Sequence, residues 1–288
     1  MDNRNYELAV SNNMEYVAGI CWGHKMNDMC EMKVWRVNEN HMREVCEMFV
    51  YYDFGGERFA ISNDGKYVVT AQYEDFKEGN LHIYEIESGK VFSEHVSLRR
   101  IQWVAFDEFH TLMLGTEENG IFFYNIFSRT FIKKIKGKKI WGDNILLLND
   151  KKITYNGRSF KASTFAYLSA SKTSAGILLA EVNGHLSYYN DEGKLYWKTD
   201  CLDLGHFINI HYDKNQNIIL GVLLNSRKKE NERIHFAVLN HNTGEVIFEH
   251  PIDSANYVFV DSSESVMLLN GKGIIYSFIN NQLEEDVY

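Results

Sequence analysis

FAISNDGKYVVTAQYEDFKEGNLHIYEIESGK, Phe59 to Lys90, is the stretch whose reading decides the fold. It opens on a short apolar run ending at Ser62, turns through Asn63-Asp64-Gly65 and continues as KYVVTAQYE. A loop follows, then LHIYEIE, the turn Ser88-Gly89-Lys90 and a last strand, VFSEHVS. Short runs rich in β-branched and aromatic side chains, separated by Gly, Asn, Asp and Ser, mark consecutive antiparallel hairpins. A four-stranded meander is expected. Asp64-Gly65 between two apolar runs is a turn signal before it is a ligand site.

Working outward, the same order recurs on both sides. ELAVSNNMEYVAGICW with EMKVWRVNENHMREVCEM precedes the stretch, and IQWVAFDEFHTLMLGTEENGIFFYNIFSRTFIKKI follows it. A compressed copy, KIWGDNILLLNDKKITYNGRSFKAS, comes next, and three further copies begin near Ala166, Ile208 and Tyr257. In every copy the third strand ends in an aromatic or aliphatic residue followed by a polar or turn residue. The pairs are Trp35-Arg36, Tyr84-Glu85, Tyr124-Asn125, Tyr155-Asn156, Tyr189-Asn190, Leu239-Asn240 and Ile279-Asn280. Seven units in 288 residues average about 41 residues each, the length of a four-stranded propeller blade. About 28 strands in an open meander would have to curl, whereas radial repetition leaves only short edges.

The expectation is therefore an all-β chain: a seven-bladed β-propeller of four-stranded antiparallel blades, in a single domain over 1–288, with six or eight blades as alternatives. The blades fall near 5–53, 54–98, 99–138, 139–162, 163–203, 204–254 and 255–288. YVVTA, ILLLND, GIIYSF and IFFYNI are apolar on both faces, as a sheet packed between two neighbours requires. Each terminus supplies a whole blade, so no blade is expected to mix strands from both ends. On these repeats the chain resembles a divergent WD-repeat-type β-propeller over essentially its full length. Trp35-Arg36, Tyr84-Glu85 and Tyr124-Asn125 take the Trp-Asp position without reproducing it, and Gly205-His206 matches the family's Gly-His dipeptide once.

Bulk properties narrow the function. Aromatic residues make up 14 %, which suits packed strands, and Pro251 is the one proline, so no Pro-rich linker is present. A formal charge of -9 argues against nucleic acid and anionic membranes, both polyanions, and tolerates a basic protein partner. There is no apolar run of membrane-spanning length, and MDNRNYELAV lacks the basic head and apolar core of a secretory signal. A cytoplasmic protein is expected. Cys21, Cys30, Cys46 and Cys201 are too few and too uneven for a disulfide framework. Cys21, His24 and Cys30 lie close together without a fourth zinc ligand, so no metal is expected.

In a blade whose strands run a to d from the axis outward, b–c loops share a face with the d–a connections. The b–c connections are long around His24 to Asp28, Tyr73 to Gly79 and Asn225 to Arg233, and tight at Glu118-Asn119-Gly120 and Asn183-Gly184. Long loops on a rigid scaffold carry binding residues. The candidates are His24; Tyr73, Glu74, Asp75, Phe76 and Lys77; Arg227, Lys228 and Lys229; and, on the d–a segment, Tyr51, Tyr52 and Asp53. Aromatics beside charges suit a protein-recognition surface. The acidic stretch from Tyr73 has neither the length nor the spacing of an EF-hand. KKIKGKK, Lys133 to Lys139, ends an outermost strand, where lysines blunt an exposed edge.

Catalysis finds no foothold in pattern: GxSxG, HExxH and P-loop motifs are missing, and the 11 histidines are scattered. The expected function is a non-enzymatic protein-interaction module that needs no cofactor. One narrow form is an immunity or antitoxin protein masking a basic toxin. The alternative is a propeller enzyme, a hydrolase or lyase, with its site at the channel mouth.

Overall fold

The computed structural model describes residues 6–26, 29–38, 41–52, 57–74, 78–118, 120–141, 145–149, 152–160, 167–201, 203–229, 232–252, 257–261, 266–272, 274–279 and 282–287. Among them, 28 strands form seven sheets, each of four antiparallel strands in sequence order, and there is no α-helix. This is a seven-bladed β-propeller. Two compact units divide the chain, the first comprising residues 1–138 and 256–288, the second 139–255.

The first unit holds four blades. Blade 1 is β1 (Tyr6–Val10), β2 (Tyr16–Met26), β3 (Met29–Asn38) and β4 (His41–Tyr51); blade 2 is β5 (Phe59–Ile61), β6 (Tyr67–Glu74), β7 (Glu78–Glu85) and β8 (Lys90–Val96). Blade 3 is β9 (Ile101–Phe106), β10 (Thr111–Thr116), β11 (Gly120–Asn125) and β12 (Thr130–Lys136). The second unit holds blade 4, β13 (Lys139–Trp141), β14 (Ile145–Asn149), β15 (Lys152–Tyr155) and β16 (Arg158–Phe160), and blade 5, β17 (Tyr167–Lys172), β18 (Gly176–Glu181), β19 (His185–Asn190) and β20 (Leu195–Asp200). It also holds blade 6, β21 (His206–Asp213), β22 (Ile218–Leu224), β23 (Ile234–Asn240) and β24 (Val246–Pro251). Blade 7, in the first unit, is β25 (Tyr257–Asp261), β26 (Val266–Asn270), β27 (Ile274–Ile279) and β28 (Gln282–Val287).

The apolar cores lie between blades, which is why successive residues of one strand are both buried. On β6, Val68 packs toward blade 1 while Val69 and Ala71 pack toward blade 3. On β18, Leu178 faces blade 6 and Leu179 faces blade 4. A strand alternates its side chains between two faces, so both periods must be apolar when both faces are covered. Each fully buried Val or Leu contributes about 1.5–3 kcal/mol.

Blades 7 and 1 meet without sharing a strand. Val17 and Val37 pack against Val258, Val260, Met267 and Leu269, and the Tyr6 amide donates to the Gly271 carbonyl at 2.7 Å. The junction is thus made by side-chain packing and a main-chain hydrogen bond.

The turns explain the repeated pairs. Asn125 Oδ1 accepts the Phe127 and Ser128 amides, both at 2.9 Å; Asn190 Oδ1 accepts those of Glu192 and Lys194 at 3.1 and 2.8 Å; Asn240 Oδ1 accepts those of Asn242 and Thr243 at 2.9 and 3.3 Å. In these three blades the asparagine after the anchor therefore closes the turn into the outer strand by an Asx-type hydrogen bond. The opening Asn63-Asp64-Gly65 is likewise a turn: Asp64 Oδ1 accepts the Ser62 hydroxyl at 2.7 Å and the Lys66 amide at 3.1 Å. Burial pushes the Asp64 carboxyl up, but these bonds win and hold it below its ordinary value. Asn63 also joins its turn to that of blade 1, accepting from the Asn13 amide at 3.1 Å and side chain at 3.0 Å.

A β-bulge recurs at the anchor. In blades 1, 3, 5 and 6 the third and fourth strands slip register at Val34/Trp35, Phe123/Tyr124, Tyr188/Tyr189 and Val238/Leu239. The residue skipped on the outer strand is in turn Val45, Ile132, Tyr196 and Ile247, and these are 49, 55, 60 and 49 % exposed. A bulge bends an edge strand and discourages edge-to-edge pairing with another sheet.

Candidate functional site

The connections of blades 1 and 2 that look like long loops are extended hairpins. Pairing between β2 and β3 runs out to Met26 opposite Met29, and between β6 and β7 to Glu74 opposite Glu78. The extra length of blade 1 is taken up on β2, where Cys21 to Lys25 oppose Glu31 to Cys30 across a bulge. His24 lies in that bulge, and Tyr73 and Glu74 end β6. Asp53, Asp75, Phe76 and Lys77 lie outside the described residues.

Adjacent tyrosines on the d–a segment have opposite fates. Tyr51 is 39 % exposed, its ring 5.1 Å from that of His82, whereas Tyr52 is 3 % exposed and meets Phe59 edge-on at 5.3 Å. Burial, reinforced by the Glu7 carboxylate, pushes the Tyr52 phenol up. Tyr52 belongs to the core between blades 1 and 2. The main chain of Tyr51 is fixed at both ends: its amide donates to the Tyr84 hydroxyl at 2.7 Å and its carbonyl accepts from Thr70 Oγ1 at 2.6 Å. Burial pushes the Tyr84 phenol up to about 12, so it stays protonated at neutral pH.

Beside Tyr51 stands a polar array. His82 Nδ1 is 2.8 Å from Ser93 Oγ, and His82 Nε2 is 2.9 Å from Gln72 Oε1. The order of hydroxyl, imidazole and orienting group imitates a nucleophilic site. However, an amide carries no charge to stabilise an imidazolium, as a triad carboxylate does. His82 and Ser93 are directly paired across β7 and β8, so the array is a cross-strand ladder that stabilises blade 2.

In the second unit the β22–β23 loop is built on Asn225. Its amide donates to the Arg233 carbonyl at 2.7 Å, and its Nδ2 to the Asp203 carbonyl at 3.0 Å. Lys228 turns inward, its Nζ lying 3.2 Å from His235 Nε2 and 3.8 Å from Glu249 Oε1. His235 is itself 2.6 Å from that carboxylate. Arg227 and Lys229 remain exposed. Of the basic loop, then, two side chains face solvent and one anchors the loop to its blade.

Two lysines of the KKIKGKK run lie over aromatic rings of the neighbouring strand. Lys133 Nζ lies 4.2 Å from the Phe123 ring centre and Lys134 Nζ 4.7 Å from that of Phe122, each lysine opposite its phenylalanine across the β11–β12 ladder. Among the described residues no group of three or more His, Cys, Asp or Glu is placed to hold a metal ion. The cysteines are free thiols, with Cys21, Cys30 and Cys201 buried.

No protein-family model and no curated protein matches the sequence. Solved structures do match in shape. Hsv2 from Kluyvelomyces marxianus aligns with a TM-score of 0.69 at 9 % identity, covering 99 % of this chain and 97 % of that one. U3-55K aligns with a TM-score of 0.58 at 10 % identity, covering 97 % and 89 %. At such identities the likeness is one of fold alone, the β-propeller. Because 1218 chains share this likeness, and one fold hosts many functions, the site must decide the function.

Proposed function

We propose that the protein is a non-enzymatic interaction module, a propeller scaffold that holds a protein partner at the Tyr51 end of blades 1 and 2. The observation that carries this is Tyr51 itself: an exposed aromatic whose amide and carbonyl are both fixed by neighbouring side chains. Tyrosine is enriched among the residues that dominate binding energy, and a main chain held beforehand has less freedom to lose on binding. The β22–β23 loop offers a separate surface, with Arg227 and Lys229 exposed on a hydrogen-bonded frame. In its narrowest form the module is an immunity protein whose net charge of -9 favours a basic toxin as partner. We place it in the cytoplasm, a reading supported by four free thiols.

The test is affinity purification of the tagged wild type beside Tyr51→Ala and Arg227→Glu/Lys229→Glu, with melting curves for each. A stoichiometric protein that is lost in one variant while the melting temperature stays within about 2 °C supports the reading. A wild-type protein that purifies as a bare monomer, or variants that retain the partner fully, would overturn it. A partner that is acidic removes the immunity form alone.

A further inference from the structure

We propose that the free edge of β12 is a second binding surface, one that takes an extended acidic and apolar segment of a partner protein as a fifth strand of blade 3. The surface is distinct from Tyr51 and from the β22–β23 loop. β12 is outermost in its sheet, and an outer strand offers a row of main-chain donors and acceptors to any strand laid beside it.

All outer strands share that geometry; three features set β12 apart from β8, β20 and β24. Half-buried residues recur along β8, β20 and β24, whereas every residue of β12 except Ile135 is exposed. Blade 3 also concentrates exposed apolar side chains: Phe131 at 46 % and Ile132 at 55 % on the strand, with Phe109 at 74 % and Phe127 at 61 % on its turns. Such a concentration on a water-facing rim marks an interaction surface. Finally, Arg129, Lys133, Lys134 and Lys136 are basic and no acid lies between Arg129 and Lys139, in a chain whose net charge is -9.

The lysines define the occupant. Because their ammonium groups fold back over Phe122 and Phe123, the outward main chain is left open and a positive field lies above it. The same stacking covers those two ring faces, so nucleic-acid bases have no platform there. Beyond the bulge at Ile132, Lys133 to Lys136 pair regularly with β11 and present four residues in register for a new strand. An incoming strand with Glu or Asp alternating with Val or Leu sets its carboxylates on the face of Lys134 and Lys136 and its apolar side chains on the opposite face, beside Ile135 and the stem of Lys133. Acidic peptides are therefore selected over basic ones.

The probe is a fluorescein-labelled peptide of four Glu-Val repeats, with four Lys-Val repeats as control, titrated into the full-length protein and read by anisotropy. Hydrogen exchange is followed on the same samples. The acidic peptide is expected to bind, to slow amide exchange at 132–136, and to weaken at least about tenfold in Lys133→Glu/Lys134→Glu, which gains affinity for the basic peptide. Exchange is read on the wild type, so the outcome stands even if the variant folds poorly. Equal binding of both peptides, no binding up to about 1 mM, or binding without protection of β12 overturns the proposal. So does a dimer that the double variant abolishes, which would assign the edge to a second copy, or competition by a single-stranded oligothymidylate.

Discussion

Replacing Asn125, Asn190 and Asn240 together by alanine removes the acceptor of two turn amides in each of three blades, at distances of 2.8 to 3.3 Å. These amides lie in exposed turns, so water replaces the lost acceptor. The cost is that of a lost cap, about 1 kcal/mol per site, rather than that of a buried orphan donor. The turns share no partner, so the costs add to about 3 kcal/mol. At about 2.1 cal/mol/K per residue, a chain of 288 residues has an unfolding entropy near 0.6 kcal/mol/K, which converts 3 kcal/mol to a fall of about 5 °C. The matching triple aspartate variant keeps a side-chain oxygen at each position. It is expected to melt within about 1–2 °C of wild type despite three added negative charges. Melting followed by circular dichroism distinguishes the variants. A triple alanine protein that melts with the wild type, or an aspartate protein as unstable as the alanine one, would refute the capping role of the pair.

Val260→Ala and Leu269→Ala, in the core between blades 7 and 1, should cost about 2 and 3 kcal/mol, and speed proteolysis throughout the first unit; fraying of blade 7 alone would show that the junction contributes little. Gly65→Ala should cost well over the ~1 kcal/mol expected for Gly89→Ala. Both have φ of +68°, but a Cβ on Gly65 would lie 2.3 Å from the Tyr16 ring while one on Gly89 meets nothing within 4 Å; equal melting temperatures would contradict this. Burial pulls His211 down to about 4, against the Asp213 charge. Its folded pKa is below the unfolded value, so stability is complete above about pH 6.5 and is lost as pH falls toward 4. His211→Asn should flatten the slope of urea midpoints between pH 6.5 and 4.5 by up to about 1.4 kcal/mol per pH unit, and an unchanged slope would rule His211 out as its source.

Much of the fold was legible because its signals are local. A turn such as Asn63-Asp64-Gly65 is read from three consecutive residues, and Asn125, Asn190 and Asn240 bond amides two to four positions on. The candidate surface was less legible. Tyr51 and Tyr52 differ by one position, and a strand sends neighbours to opposite faces, so their fates depend on blade 2 across the gap. Lys228 reads like Arg227 and Lys229, yet His235 and Glu249 draw it inward. The loop lengths around His24 and Tyr73 were visible, but not that main-chain pairing continues along them as hairpins.

The sequence by itself determined seven units of four strands, the sites of their turns, and strands apolar on both faces. These follow from chain-local stereochemistry and from a two-residue alternation that holds wherever the strand is placed. Tertiary structure decided which apolar residues meet water. Val45, Ile132, Tyr196 and Ile247 look like core residues in sequence, and stand exposed because a register slip against the neighbouring strand skips each one. It also decided that Lys133 and Lys134 lie across phenylalanine rings, which leaves the β12 edge open. Exposure is a property of partners distant along the chain, and spacing within one strand does not encode it.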